Sequence, residues 1–411
     1  MSSLLTAVMA LGLIVLPTAS FGLTQALLTG TDLETRTVEV SSLSGETLSY
    51  YDDNRWLTQS GVGEFVQMMP LTPPHIRDQY RQATSQQHIW LVDGQSFSGQ
   101  WTGSRSNGEV IAWQHPELGR FSFGLDDVRL LRLTSSADNA QPALLTPSDS
   151  DTVHFVNGDQ ITGFVITVSP DIVVLIPDGA DNEIEFPVST IAAVRFANPS
   201  IESAIEGDTV DLVDGSRFIA KGLAIQGDAI TLTPTLSPMD SSVELAMGQV
   251  VAVEFSASGL KLDRLYRQPQ EVLSGGMVFG SDWAPGKQQG GFAMHAPTTV
   301  KFSLPSGTQR FSTTALLNLP EGLPRERAAL ADVELRVYLD DLGTAPIAQA
   351  KLDAENSEAP INVALEPGHE TLIFELDPAS HGPILDRVLL KGGQLLIKAP
   401  QPRPGTGDTT R

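Results

Sequence analysis

Short apolar runs separated by turn residues dominate the chain, and three stretches share one pattern. Residues 89–94 read IWLVDG, 153–158 read VHFVNG and 210–215 read VDLVDG. Each is an apolar strand ending in Asp-Gly or Asn-Gly, the strongest short-range hairpin signal. A second strand follows each turn: SFSGQW (96–101), QITGFVITV (160–168) and RFIAKGLAI (217–225). A further apolar strand closes each unit: DVRLLRL (127–133), TIAAVRF (190–196) and QVVAVEF (249–255). From turn Gly to last closing residue the separations are 39, 38 and 40 residues, which marks an internal repeat. Residues 88–134, 151–197 and 208–256 are thus predicted as copies of one β-unit. Residues 36–72 read as a shortened first copy, with Gly45 in the turn position and EFVQMMPL (64–71) as closing strand.

Within 151–197 five strands are predicted, at 152–156, 160–168, 171–176, 183–187 and 190–196. A bent five-stranded meander of this size closes into a small barrel, which removes exposed edges. The opening V-x-L-x-D-G-x-x-x-x-G resembles SH3-like and Sm-like barrels, and the tandem repeats of exported planctomycete-type proteins. One propeller blade per repeat is the alternative. The stretches 134–151, 197–208 and 256–270 are polar or Ser/Asp/Pro-rich and read as joints between small cores. Trp56, Trp90, Trp101 and Trp113 read as core or strand-face residues.

Residues 271–399 carry strand-like runs without a repeat, at 271–280, 298–305, 309–319, 333–341, 361–365, 370–377 and 394–399. This spacing predicts a two-sheet antiparallel sandwich. Gly291-Phe292-Ala293-Met294-His295-Ala296-Pro297, then Val300-Lys301-Phe302-Ser303-Leu304 and Arg310-Phe311, resembles the carbohydrate-binding module known from glycoside hydrolase family 98 proteins. Val337-Tyr338-Leu339-Asp340-Asp341-Leu342-Gly343, Leu376-Asp377 and Asp386-Arg387-Val388 stand where that family has strands, a turn and an Asp. The resemblance implies a galactose-binding-like jelly roll and a polysaccharide or glycan ligand. It singles out His295, Tyr338, Asp340, Asp341 and Asp386 as candidate ligand contacts, to which the loop aromatic Trp283 is added on residue type. Two departures stand out: the Asp340–Gly343 turn is longer, and Val388-Leu389-Leu390 replaces an aromatic after Asp386. Sugar recognition needs aromatic faces and hydroxyl-fixing polar groups. Here the large amphipathic aromatics are only Trp283, Tyr338 and, in the joint, Tyr266. Trp283, in a Gly/Pro-rich loop, is the aromatic expected to touch ligand, with a loop Trp capping a core as the equal alternative; His295, in an apolar run, reads more readily as a packed structural residue.

Composition narrows the alternatives. Twenty-six Lys and Arg against 49 Asp and Glu give a net charge of −23, which disfavours nucleic acid as a partner. The absence of Cys excludes disulfides, thiol nucleophiles and Fe–S ligation. No H-E-x-x-H, G-x-S-x-G or phosphate-loop motif occurs, so a non-catalytic protein is expected, with no cofactor. Asp178, Asp181 and Glu183 could collect Ca²⁺ but read more readily as a solvated hairpin tip. Residues 4–16 (LLTAVMALGLIVL) hold eleven apolar residues in thirteen, followed by small residues. That predicts a signal peptide over 1–22, or a retained anchor since Met1-Ser2-Ser3 is uncharged, and hence export to periplasm, cell surface or medium. Residues 400–411 are expected to be a disordered tail. The functional expectation is an exported glycan-binding protein with scaffold repeats. A structural envelope protein with protein partners is the alternative.

Overall fold

The computed structural model describes residues 23–52, 55–75, 87–105, 109–134, 148–199, 207–235, 242–275, 277–278, 281–282, 284–288, 290–320 and 322–398. The expected signal segment, the C-terminal tail and Trp283 lie outside these residues.

Four five-stranded units fill the N-terminal part. Unit 1 comprises β1 (Thr24–Gly30), β2 (Thr35–Ser44), β3 (Thr47–Tyr51), β4 (Leu57–Gly61) and β5 (Phe65–Pro70). Unit 2 comprises β6 (Gln87–Leu91), β7 (Ser96–Arg105), β8 (Val110–His115), β9 (Gly119–Gly124) and β10 (Val128–Arg132). Unit 3 comprises β11 (Asp151–Phe155), β12 (Gln160–Val168), β13 (Ile172–Pro177), β14 (Ile184–Pro187) and β15 (Ile191–Arg195). Unit 4 comprises β16 (Asp208–Leu212), β17 (Arg217–Gln226), β18 (Ala229–Pro234), β19 (Val243–Ala246) and β20 (Val250–Glu254). In every unit the first four strands form an antiparallel meander and the fifth returns to pair with the first. A single 3₁₀ turn always precedes that fifth strand.

The first hairpin is built alike in all four. An Asp or Asn side-chain oxygen accepts the backbone N–H two residues on: Asp32 from Glu34, Asp93 from Gln95, Asn157 from Asp159 and Asp214 from Ser216. The residue between them is left-handed, with φ of 86°, 92° and 88° at Gly94, Gly158 and Gly215. Glycine suits this position because it lacks the Cβ that clashes there. Unit 1 places Leu33 at it, with φ of 61°. Unit 1 therefore starts at Thr24 rather than near residue 36. Gly45 sits in its second hairpin, between β2 and β3, not in the first.

Leu33 earns its strained conformation through packing. It is buried with Val66 and Leu396, and Leu260 and Leu262 pack against that cluster. A left-handed leucine costs about 1–2 kcal/mol, and burying its side chain returns more than that. Leu33→Gly should relieve the strain yet lower stability by a net of about 1–2 kcal/mol. Urea denaturation followed by tryptophan fluorescence measures this, and a stabilised variant would contradict it.

The expected joints do not separate small cores. One apolar cluster runs through all four units, from Ala26 and Leu48 through Phe97, Trp113, Val153 and Leu175 to Phe218 and Phe255. The units pair through their closing strands: β5 with β20 (Met68↔Val253) and β10 with β15 (Leu131↔Val194). Units 2 and 4 also touch through β7 and β17 (Ser96↔Arg217). Trp113 is core, as expected, whereas Trp56 is 74% exposed on the β3–β4 side of unit 1. Asp178, Asp181 and Glu183 lie exposed between β13 and β14.

The C-terminal part is a two-sheet antiparallel sandwich. Its strands are β21 (Leu260–Arg264), β22 (Gln270–Gly275), β23 (Met277–Val278), β24 (Ser281–Asp282), β25 (Gly286–Gln288), β26 (Gly291–His295), β27 (Thr298–Ser303), β28 (Thr308–Leu317), β29 (Asp332–Leu339), β30 (Ala348–Asp353), β31 (Glu358–Ala364), β32 (Thr371–Pro378) and β33 (Arg387–Lys398). One sheet runs β25-β26-β33-β28-β31 and the other β22-β27-β32-β29-β30, with β23 and β24 a separate small hairpin. Phe292, Phe302, Phe311 and Phe374 meet edge-on in the core between the sheets. The stretch 256–270, expected as a joint, supplies β21, which pairs with β33, and Leu265, which enters the sandwich core.

Candidate functional site

β33 is long enough to hold two partners along one edge. Its first half pairs with β26, from Arg387↔His295 to Lys391↔Gly291. Its second half pairs with β21, from Gln394↔Arg264 to Lys398↔Leu260. The change of partner falls at Gly392 and Gly393. There Gly392 has a φ of 65°, and its N–H bonds to the Gly290 carbonyl at 3.1 Å. Between the end of β21 and the start of β26 a cleft of about 490 Å³ opens, lined by Arg264, Tyr266, Lys287, Gln288, Gly290, Gly291 and Gly392.

The chemistry of this cleft is compact. Gly291 lets β26 approach β33 closely at the cleft's edge: a Cβ there would stand 2.2 Å from the Leu390 carbonyl oxygen. Tyr266 provides an aromatic ring, and the Lys287 ammonium lies 5.8 Å from the ring centroid. Arg264 supplies a fork of donors and Gln288 an amide. Among the described residues neither Arg264 nor Lys287 forms a salt bridge, although the chain carries an excess of acids. An aromatic face beside hydrogen-bond donors and uncompensated positive charge suits a sugar ring with hydroxyls and an anionic substituent.

The residues singled out in the sequence do not form one site. They divide between opposite ends of the sandwich. Tyr338, Asp340 and Asp341 lie at the end where β29 meets the start of β32. The Tyr338 hydroxyl donates to Glu375 at 2.9 Å beside the Arg336–Glu375 ion pair, and its ring is buried. Asp340 ties down the loop before β32. One oxygen accepts the N–H groups of Glu370 and Thr371, and the other meets His369 Nδ1 at 2.7 Å. Burial works to raise the Asp340 carboxyl, but these bonds, His369 foremost, hold it below its ordinary value. Asp341 is exposed and accepts the Gly343 N–H.

At the other end His295 closes β26, buried, with Nδ1 2.8 Å from the Ala296 carbonyl oxygen. Burial lowers its pKa, and nearby Arg387 adds to this against the Ala296 bond. That arrangement fits the structural reading of His295. Asp386 is fully buried, and among the described residues neither carboxylate oxygen has a hydrogen-bond partner. Burial pushes its pKa up to about 7. The Asp332 carboxylate adds to the rise, while the Asp332 backbone N–H opposes it without reaching hydrogen-bond geometry. Burial also works to raise Asp332, but bonds from Ser380 and His381 hold it down at about 2.

A second polar cluster joins units 2 and 4. His115 Nε2 lies 2.9 Å from Asp214 and 3.1 Å from the Ser216 hydroxyl. Its Nδ1 accepts the N–H groups of Glu117 and Leu118 at 3.1 and 3.0 Å. The residue types are those of a nucleophilic triad, but the wiring differs. One nitrogen serves both the carboxylate and the hydroxyl, and the other is saturated by backbone donors, leaving no basic nitrogen for Ser216. The cluster is a buried clasp.

Tyr266 was legible in the sequence only as part of a joint, and Arg264, Lys287 and Gln288 were not legible as site residues at all. The doublets Gly290-Gly291 and Gly392-Gly393 were the available signal, since paired glycines in strands mark bulges and close backbone approach.

No protein-family model matches the chain, and no curated protein matches it. Among solved structures the chain is similar to carbohydrate-binding modules. One is a CBM51 from a Clostridium perfringens GH95 protein in complex with methyl-galactose, at 17% identity and a TM-score of 0.22, covering 33% of this chain and 87% of that one. A second comprises the CBM51-2 and INT domains of Clostridium perfringens ZmpB, at 14% identity and a TM-score of 0.24; it covers 47% of this chain, which spans 44% of that one. A third is the tandem CBM51 pair of a Streptococcus pneumoniae family 98 glycoside hydrolase, at 12% identity and a TM-score of 0.24, covering 90% of this chain and 88% of that one.

Proposed function

We propose that the protein is an exported, non-catalytic glycan-binding protein. Its sandwich takes an acidic sugar, carboxylated or sulfated, in the Tyr266 cleft, and its four units serve as scaffold. The observation that carries this reading is the grouping of Tyr266, Arg264 and Lys287 in one glycine-lined cleft. The resemblance of residues 291–311 to a carbohydrate-binding module supports the ligand class, and the apolar run at 4–16 supports export. The strand order within each unit, last strand beside first after a 3₁₀ turn, supports reading the units as small SH3/Sm-like barrels.

Retention of the full chain on immobilised polygalacturonate, a sulfated galactan and a neutral galactan tests the reading. Tyr266→Ala is expected to weaken binding by about 10–100-fold, the loss of one stacking aromatic. Arg264→Gln with Lys287→Gln should remove the preference for the acidic polymers and flatten its salt dependence. Unchanged retention in Tyr266→Ala would overturn the assignment. Loss in Trp283→Ala alone would move the site to the loop favoured by the sequence.

A further inference from the structure

The four first-hairpin turns are equivalent in structure but not in surroundings. The turn of unit 1 docks on the sandwich, through Leu33 and through Asn362, whose amide donates to the Asp32 carbonyl at 2.9 Å. The turns of units 2 and 4 dock on each other. Gln95 and Ser216 occupy the same position, directly after the turn glycine, and each reaches across. The Ser216 hydroxyl accepts the Ser98 N–H at 2.9 Å, and the Gln95 amide oxygen accepts the Ile219 N–H at 2.9 Å. Ser98 and Ile219 are themselves equivalent, three residues further on. Ser96 and Arg217, one residue after Gln95 and Ser216, bridge as an antiparallel pair. In these strand-directed bonds each unit gives the other what it receives, so they have a local two-fold axis at the Ser96–Arg217 bridge, to which unit 2 adds the unreciprocated His115 clasp on Asp214 and Ser216.

Unit 3 carries the same face in an open state. Val156, just before its turn, is 51% exposed, whereas the equivalent Val92 and Val213 are 6% and 9% exposed. Asp159 and Gln160 are at the surface, and Phe164, further along β12, is 66% exposed. We infer that two copies of this chain pair through the unit 3 turn, repeating between molecules the two-fold contact that units 2 and 4 make within one. A face that is self-complementary by two-fold symmetry fits a second copy of itself, and closed two-fold dimers are the commonest assemblies. Asp159 then stands where Gln95 and Ser216 accept strand N–H groups. The two copies bring two Asp159 carboxylates together, each already bonded by Asn157 at 2.7 Å. Salt should therefore strengthen the dimer by screening them.

The register makes the test specific. Gln160 is the equivalent of both Ser96 and Arg217, so it meets its own copy on the axis. The full chain has no Cys. Gln160→Cys should therefore oxidise in air to a disulfide-linked dimer, whereas Cys at exposed Asn182 should not. Sedimentation velocity at about 100 μM should show a dimer, and Val156→Asp should weaken it by about tenfold or more. A strictly monomeric chain would overturn the inference. So would a dimer indifferent to Val156→Asp, or one in which Asn182→Cys cross-links as readily as Gln160→Cys.

Discussion

His115→Ala is expected to cost about 3–5 kcal/mol of stability, since it empties a fully buried site and strips a partly buried carboxylate of its side-chain hydrogen-bond donor. The imidazole is fully buried between units 2 and 4. Its loss leaves the Asp214 carboxylate with only the Ser216 backbone N–H and hydroxyl as donors, and leaves the Glu117 and Leu118 N–H groups without their acceptor. Burial alone would raise the Asp214 carboxyl, and it is the His115 bond above all that holds it below its ordinary value. Neutralising the stranded group should therefore recover part of the loss: His115→Ala with Asp214→Asn should be more stable than His115→Ala alone. Denaturant melts of the single variants and the pair give the coupling directly. If both singles fall within about 1 kcal/mol of the parent, the clasp contributes little.

Asp386→Asn should flatten the dependence of sandwich stability on pH. The Asp386 carboxyl is raised in the folded state, from 3.8 to about 7. Below pH 3.8 it is protonated in folded and unfolded chains alike and contributes no slope. Between 3.8 and 7 the unfolded chain releases the proton while the folded chain keeps it, so stability falls as pH rises. The slope reaches about 1.4 kcal/mol per pH unit, and the whole penalty, complete above pH 7, is at most about 4 kcal/mol. Asp332 has the opposite sign: its folded value lies near 2, so its contribution is present above 3.8 and is lost as pH falls through 2. Thermal melts from pH 4 to 8 separate the two groups. Equal slopes in parent and Asp386→Asn would show that Asp386 is ionised throughout.

The sequence carried more of the fold than of the site, for physical reasons. Asp93-Gly94, Asn157-Gly158 and Asp214-Gly215 announced three hairpins because a left-handed turn residue selects glycine. The fourth hairpin was hidden because Leu33 fills that position and is held there by contacts with the sandwich, which no local pattern reveals. The joints read as separators because their composition is polar, yet the apolar faces they connect pack together. The strands of the sandwich were legible from alternation. The pairing of β33 with two partners was not, since it depends on residues 260–264 returning to an edge more than 120 residues later in the chain. The cleft inherits that difficulty: Arg264, Lys287 and Gly392 come from three separate stretches. Tyr338 and Asp340 looked suited to a ligand by type, but Glu375, His369 and the Thr371 N–H already engage them.

The pairing of closing strands between units 1 and 4 sets the order in which the chain can mature. Met68 pairs with Val253, 185 residues later. During synthesis the β5 edge of unit 1 must wait for unit 4, roughly 10–40 s at usual elongation rates, with β-pairing groups unsatisfied in the meantime. In a linear solenoid each repeat meets only its sequence neighbours and copies are gained or lost one at a time. Here the first repeat meets the fourth, so removing one copy orphans an edge far away in the chain.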